Sequence, residues 1–289
     1  MFHVKHLFFN VGTICQRCDN ADFAVLFIIV VHTSNAVCNK KKSIEIKGRD
    51  MNPEAFAAAL REHHIELTAE QLAQYQTYYE RLVEVNEHMN LTAITERDEV
   101  YLKHFFDSLT LAWAYPALQT EPLSMVDVGA GAGFPSIPLK IAFPQLKITI
   151  IDALNKRINF LNDLVQELGL TDVQALHARA EEFGNKTAPT RETYDVATAR
   201  ALARLNILGE LTLPLVQVGG VLLAMKGSQA DEELAEADKA ITTLGGEIGE
   251  QVDVALPNGD PRSVILIKKV KTTPKKYPRK PGDPVRKPL

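Results

Sequence analysis

The stretch Val126–Pro135, VDVGAGAGFP, constrains this chain more than any other. A short apolar run ends at Val128, and glycines follow at 129, 131 and 133. Glycine lacks a Cβ, so it reaches positive φ at little cost and lets the backbone approach a ligand closely. A loop of this kind between a strand and a helix belongs to open α/β sheets, which bind ligands beyond the carboxyl ends of their strands.

Two cofactor classes use such loops. The dinucleotide fingerprint G-x-G-x-x-G places its third glycine where this chain has Phe134, and a ring there crowds the helix against the strand. The loop instead fits the hydrophobic–acidic–x–G–x–G–x–G pattern of S-adenosylmethionine-dependent methyltransferases, with Asp127 as the acidic member. Asp152 ends the next apolar run, KITIID, where a carboxylate accepts the ribose hydroxyls of an adenosine cofactor or, equally, caps the following helix. ARAEEF (178–183) follows the third strand and flanks the adenine position. Arg200, in YDVATARAL (194–202), ends the fourth strand at the pocket rim, where it meets a carboxylate, a nucleic acid or solvent.

Periodicity supplies the frame. Strands are expected at Met125–Val128, Lys147–Ile151, Val173–His177, Asp195–Ala199, Val221–Lys226, near Glu250–Ala255, and at Val264–Lys269. Helices fill the gaps at Ser136–Ala142, Asn155–Leu168, Arg204–Val216 and Ala230–Leu244. No helix separates the last two strands, so they should form an antiparallel hairpin. This is a Rossmann-like, doubly wound, seven-stranded α/β sheet. Before it, Asn52 and Pro53 start one helix, and Thr68 with Gln71 make a capping box for a second that carries Leu72, Tyr75, Tyr79 and Leu82 on one face. A third, Val100–Trp113, turns Leu102, Phe105, Phe106 and Leu109 inward. The expected divisions are residues 1–50, 51–118 (a helical cap), 119–270 (the Rossmann-like domain) and 271–289 (a flexible basic tail).

The net charge of −4 hides a polarity. From Lys268 to Leu289 nine Lys/Arg face one acidic residue, a net +8, which leaves −12 for the rest. Such a tail either neutralises RNA phosphates or merely solubilises the protein. Cys15, Cys18 and Cys38 are the three cysteines, so residues 51–289 hold no disulfide and no thiolate. The lone Cys15-x-x-Cys18 pair lacks a second ligand pair, and no metal site is expected. The apolar run Phe23–Val31 is too short to span a bilayer. MFHVKH can be encoded by a self-complementary DNA string, and Met51 is read as the natural start.

The acceptor follows partly by exclusion. C5 methylation of a pyrimidine needs a cysteine; exocyclic amines are usually handled by an Asn/Asp-Pro-Pro-aromatic loop, where this chain has Thr198-Ala199-Arg200-Ala201. A ring nitrogen with a free lone pair, such as guanine N7, requires no proton removal, so placement alone suffices. The stretches NLTAI (90–94), HFFDSL (104–109), VDVGAGAGFPSIPLKI (126–141), RAEEF (179–183), ARAL (199–202), AMKG (224–227) and TPKKYPRKPG (273–282) together resemble the bacterial small-subunit rRNA guanine-N7 methyltransferase family, the glucose-inhibited division protein B family. The resemblance implies N7-methylation of one guanine in 16S rRNA, in the cytoplasm, on the small ribosomal subunit or an assembly intermediate. It also implies S-adenosyl-L-methionine contacts at Gly129, Phe134, Ala180, Glu181 and Arg200. Asp127, Gly131, Gly133 and Asp152 join these from the loop reading. Arg200, Lys226 and His104 are the candidates for work on the base: His104 either stacks on it or is a core histidine, and Lys226 either steers the guanine O6 or is solvated. A monomer is expected, without a membrane partner. A small-molecule methyltransferase or a non-catalytic RNA-binding assembly factor are the rival readings.

Overall fold

The computed structural model describes residues 51–289. The readings of Cys15, Cys18, Phe23–Val31 and the start of translation concern residues outside these. Among the described residues, no helix is long and apolar enough to cross a membrane, and no cluster of acidic, His or Cys side chains could hold a metal.

Seven strands form one sheet in the order β3-β2-β1-β4-β5-β7-β6: β1 (Ser124–Val128), β2 (Lys147–Asp152), β3 (Val173–His177), β4 (Tyr194–Arg200), β5 (Val216–Lys226), β6 (Gly246–Ala255) and β7 (Pro261–Lys269). The first five are parallel. β7 inserts antiparallel between β5 and β6, as the missing crossover helix requires. The order reverses between β1 and β4, and the cleft described below opens at that switch point.

Strand alternation sorts the side chains onto two faces. Met125, Ile148, Ile150, Val196, Leu223, Met225, Val264 and Leu266 pack into one core with the N-terminal helices. Val126, Ile151, Ala197, Ala199, Leu222, Ala224, Ile265 and Ile267 pack into the other, with α10 (Leu205–Thr212) and α11 (Ala230–Thr243). Residues 51–118 therefore share a core with the sheet and are no separate layer.

The cap begins as its sequence dictates. In α1 (Pro53–Glu62), Asn52 accepts from Ala55 N at 2.8 Å, and the Thr68–Gln71 capping box starts α2 (Ala69–Met89). Tyr78, rather than the expected Tyr79, is fully buried beside Tyr75 and Leu82. Helix α2 then fastens the Rossmann half through side-chain donors. Tyr78 donates to Ala132 O at 2.6 Å and Tyr75 to Pro138 O at 2.7 Å; Gln71 Nε2 donates to Ile141 O at 2.7 Å. These bonds hold the glycine loop and both ends of α7 (Ser136–Ala142).

The helix expected over Val100–Trp113 is broken. It runs as α3 (Arg97–Val100), a π-helical stretch Tyr101–Phe106, α4 (Asp107–Leu109) and α5 (Leu111–Ala114), with α6 (Ala117–Thr120) before β1. Leu102, Phe105, Phe106 and Leu109 are buried as expected. A π turn adds a residue to the helical repeat and re-aims the side chains after it.

The tail also differs from expectation. After β7 the chain is strapped down: Thr273 and Tyr277 are buried, and Arg279 forms a bidentate pair with the buried Glu210 of α10. Lys269 is buried as well; it donates to Glu192, Leu213 O and Thr273 Oγ1, and burial brings its ammonium down to about 8. The segment ends in α12 (Asp283–Arg286). Polar residues that read as a solvated tail are spent on buried partners, which charge composition does not reveal.

Candidate functional site

The glycine loop adopts the backbone its residues predicted. Gly129, Gly131 and Gly133 all have positive φ. A Cβ on Gly133 would lie 2.8 Å from Ile137 and 2.9 Å from Leu161, so this glycine serves packing. A Cβ on Gly131 would meet nothing within 4 Å, so this glycine faces open space. Gly129 N donates to Ile151 O at 2.7 Å, which pins the loop to the end of β2.

Asp127 lies beneath the loop, fully buried. It accepts from Ser136 N at 3.3 Å, and its Oδ1 has no hydrogen-bond partner among the described residues. Burial pushes this carboxyl up to about 7, against the pull of Ser136 and the more distant Arg200. With no surface of its own, Asp127 shapes the loop from below and has none to offer a ligand. Asp152 is also nearly buried, but it lines the cleft. Its oxygens accept from Leu154 N (2.8 Å), Arg157 (3.2 Å) and Gly131 N (3.3 Å). Asp152 thus joins the glycine loop to the approach to α8 (Asn155–Glu167). Leu154 holds the N-cap position and the helix has no side-chain cap, so the cap reading fails and the carboxylate lines the cleft.

Two cavities meet at Leu202. The smaller, about 110 Å³, is walled by Gly129, Asp152, Ala180, Glu181 and Leu202. Ala180 and Glu181 come from α9 (Ala180–Phe183), so the cleft unites residues that the sequence places some fifty positions apart. The larger, about 550 Å³, is walled by His104, Asp107, Arg200, Leu202, Met225 and Arg262, with Lys226 at its edge. The Leu202 side chain reaches over Gly129 and separates the two.

The larger cavity is organised by charge. Strand parity puts Arg200 and Arg262 on the cap-facing side of the sheet, and Asp107 reaches them from the break in the third cap helix. Asp107 accepts from Arg200 at 3.1 Å and from Arg262 at 2.9 Å. Arg200 also lies 4.8 Å over the Phe134 ring and 3.2 Å from His104 Nδ1. A guanidinium only donates, so Nδ1 accepts, although Lys103 O also approaches it at 3.1 Å; Nε2 donates to Thr92 Oγ1 at 2.8 Å. Burial and the Arg200 charge push His104 down to about 3, so the ring is neutral.

Phe134 is buried. Its ring stacks between Tyr78 (5.4 Å) and His104 (4.4 Å). The ring thus belongs to the wall between the loop and the cap. Lys226 is not available to a base. Parity turns it to the opposite face from Arg200, where its ammonium holds Glu233 of α11 (2.7 Å) and Ala203 O (2.7 Å). Glu233 in turn accepts from Leu205 N, so this pair fixes the turn that carries Leu202. Asp107 and Arg262 were missed as site residues. Asp107 lies in the quoted HFFDSL stretch; Arg262 has no local signal beyond its parity with Val264.

The family described as rRNA small subunit methyltransferase G matches residues 71–256. A protein of Lactiplantibacillus plantarum named Ribosomal RNA small subunit methyltransferase G is 59% identical over 240 residues, covering 83% of this chain and 98% of that protein. Its namesake in Limosilactobacillus reuteri is 58% identical over 240 residues, covering 83% of this chain and 100% of the relative. A solved S-adenosylmethionine-dependent methyltransferase from Aquifex aeolicus is 20% identical, with a TM-score of 0.46, covering 59% of this chain and 93% of that one. The match spans most of the described chain, from the cap through the glycine loop to β6, and the chain belongs to the rRNA small subunit methyltransferase G family.

Proposed function

We propose that this protein transfers a methyl group from S-adenosyl-L-methionine to N7 of one guanine in 16S rRNA. Family membership supports the methyl donor and the rRNA. The choice of N7 rests on one observation: the larger cavity offers no free base. His104 has both ring nitrogens in polar contacts, Asp107 is held by two arginines, and Lys226 and Glu233 hold each other. Guanine N7 brings its own lone pair, so the site needs only to place it.

The residue types around the cleft suit the donor. Gly131 leaves room for a close approach, and Asp152 ends β2 with a carboxylate suited to ribose hydroxyls. Ala180 and Glu181 close the adenine side, and Gly129 with Leu202 lies towards the larger cavity. When bound, the sulfonium supplies an electrophilic methyl group. Guanine N7 would accept that methyl on its own lone pair, with the donor leaving as the neutral thioether, so the residues lining the cavity would have no proton to remove. Asp127 keeps the loop in register, Arg200 carries the wall of the acceptor cavity, and Leu202 stands where donor and acceptor meet. We place the protein in the cytoplasm and read it as a monomer acting on the small subunit or a precursor of it.

The test is incubation of the full chain with radiolabelled cofactor and unmodified small subunits, free 16S rRNA or tRNA, followed by cleavage at N7-methylguanine. Label at a single 16S guanine N7 is expected. Label on tRNA, on a small molecule, or on another atom of the rRNA base would overturn the reading.

A further inference from the structure

A third cavity, of about 620 Å³, lies away from the reaction site. Its walls are residues 185–187 on one side and residues 275–280 on the other, with Asp283 at one end. Lys186, Lys275, Lys276, Arg279 and Lys280 line it. Arg279 is neutralised by Glu210, and Asp283 pairs with Arg286. Lys186, Lys275, Lys276 and Lys280 are exposed, and among the described residues no carboxylate forms an ion pair with any of them. The Lys276 ammonium lies 5.1 Å over the Tyr277 ring. Four ammonium groups without a carboxylate partner around one groove repel each other, and an anion relieves that repulsion.

The groove is preformed. Arg191 bonds both walls at once: Gly184 O on one side (2.7 Å), Tyr277 O (2.8 Å) and Thr273 O (2.7 Å) on the other. Thr273 N donates to Glu192 at 2.6 Å and Arg279 N to Glu210 at 2.8 Å. Asn185 folds its own wall by accepting from Thr187 N and Oγ1. The lysines are thus carried by ordered backbone, which lowers the entropic cost of binding through them. The groove also connects to the chemistry. Gly282 N donates to Glu181 at 3.1 Å, and Glu181 walls the smaller cavity.

We propose that the groove between residues 185–187 and 275–280 is a phosphate-binding subsite that holds the sugar–phosphate backbone of the RNA substrate, separate from the reaction pocket. It rests on the rRNA reading above. Residues 1–267 sum to −12 against +8 for residues 268–289, so positive charge is concentrated on this strip, where RNA phosphates are drawn. Phosphates here fix the register of the RNA; they do not choose the base.

The test uses the full chain with Lys275→Ala, Lys276→Ala and Lys280→Ala combined, and Lys186→Ala as an independent single variant. None of these side chains makes an ion pair among the described residues, and Lys276 alone has a ring contact, with Tyr277, so melting temperatures are measured alongside. Binding of a fluorescent single-stranded RNA oligonucleotide is measured by anisotropy across a range of KCl, and cofactor binding by calorimetry. The triple variant should bind RNA at least about tenfold more weakly at low salt. Its log–log salt slope should be shallower by about 0.7 for each phosphate that is no longer neutralised. Cofactor affinity should be unchanged. RNA affinity and salt slope equal to the parent overturn the proposal, as does preference of the groove for a polyglutamate peptide over RNA. Methyl transfer to small subunits is scored separately. A parent that binds RNA through the groove yet methylates no rRNA refutes the functional reading and leaves the groove standing; an active variant with unchanged KM does the reverse.

Discussion

Replacing Asp127 with asparagine should stabilise the protein at alkaline pH, although Asp127 belongs to the glycine motif. The carboxyl is fully buried, and burial raises it to about 7, opposed by Ser136 and Arg200 and reinforced by Asp152. The folded chain therefore keeps a proton that the unfolded chain, near the ordinary aspartate value, has already released. Stability falls as pH rises from about 4 towards about 7 and is level above that. Each unit of difference corresponds to about 1.4 kcal/mol, so from about pH 5.5 to about pH 8 the parent loses roughly 2 kcal/mol to this group alone. Asparagine keeps an oxygen to accept from Ser136 N and presents an uncharged amide to the Ser136 hydroxyl, so it escapes that loss. Urea unfolding of cofactor-free parent and variant at the two pH values measures it. Asp127→Asn should gain on the parent by roughly 2 kcal/mol between them, or about 4–8 °C in melting temperature for a chain of this size. A stability difference that does not change with pH would refute the buried-proton argument.

Three further outcomes follow from the same geometry. Arg279→Ala should cost about 3–5 kcal/mol in unfolding free energy, because Glu210 is left as a buried charge; adding Glu210→Gln should recover much of it. Gly133→Ala should cost about 2–4 kcal/mol from overpacking against Ile137 and Leu161 plus a positive φ, whereas Gly131→Ala should cost about 1 kcal/mol from φ alone; equal melting points would contradict that ordering. The methyl-transfer rate should lack a histidine limb: with His104 held near 3 it stays neutral throughout the neutral range. A fall in kcat below about pH 7 that disappears in His104→Asn would show that a general base operates after all.

Much of the fold was legible because the strands obey simple periodicity. The ends of β1, β2, β3 and β4 fall within a residue of expectation, β7 starts three residues earlier than expected, and the unconnected last pair forms the expected hairpin. The glycine loop could be read because a turn with three positive-φ positions demands glycine, and the place of Asp152 because it ends an apolar strand. Three things resisted. Tyr75, Tyr78 and Tyr79 all suit one helical face, and only the position of Ala132 selects Tyr78. The π stretch at 101–106 keeps the same buried residues as a straight helix, so hydrophobic spacing does not report it. The tail reads as solvated because sequence gives its charges but not their partners; Glu192 and Glu210 lie some seventy or more positions away.

The roles of Lys226 and Arg200 separate on a distinction that the strands already contain. Both cations end neighbouring parallel strands at the same edge of the sheet, and Arg200 pairs in register with Met225, one residue before Lys226. Side chains alternate, so Arg200 and Met225 face the cap while Lys226 faces α11. One cation therefore reaches Asp107, His104 and the larger cavity; the other reaches Glu233 and the backbone of the Leu202 turn. Lys226 still bears on the chemistry, because the turn it clamps carries the side chain that divides the two cavities. Its influence passes through the position of Leu202, and a neutral isostere at 226 acts on the geometry of transfer instead of on the charge seen by the base.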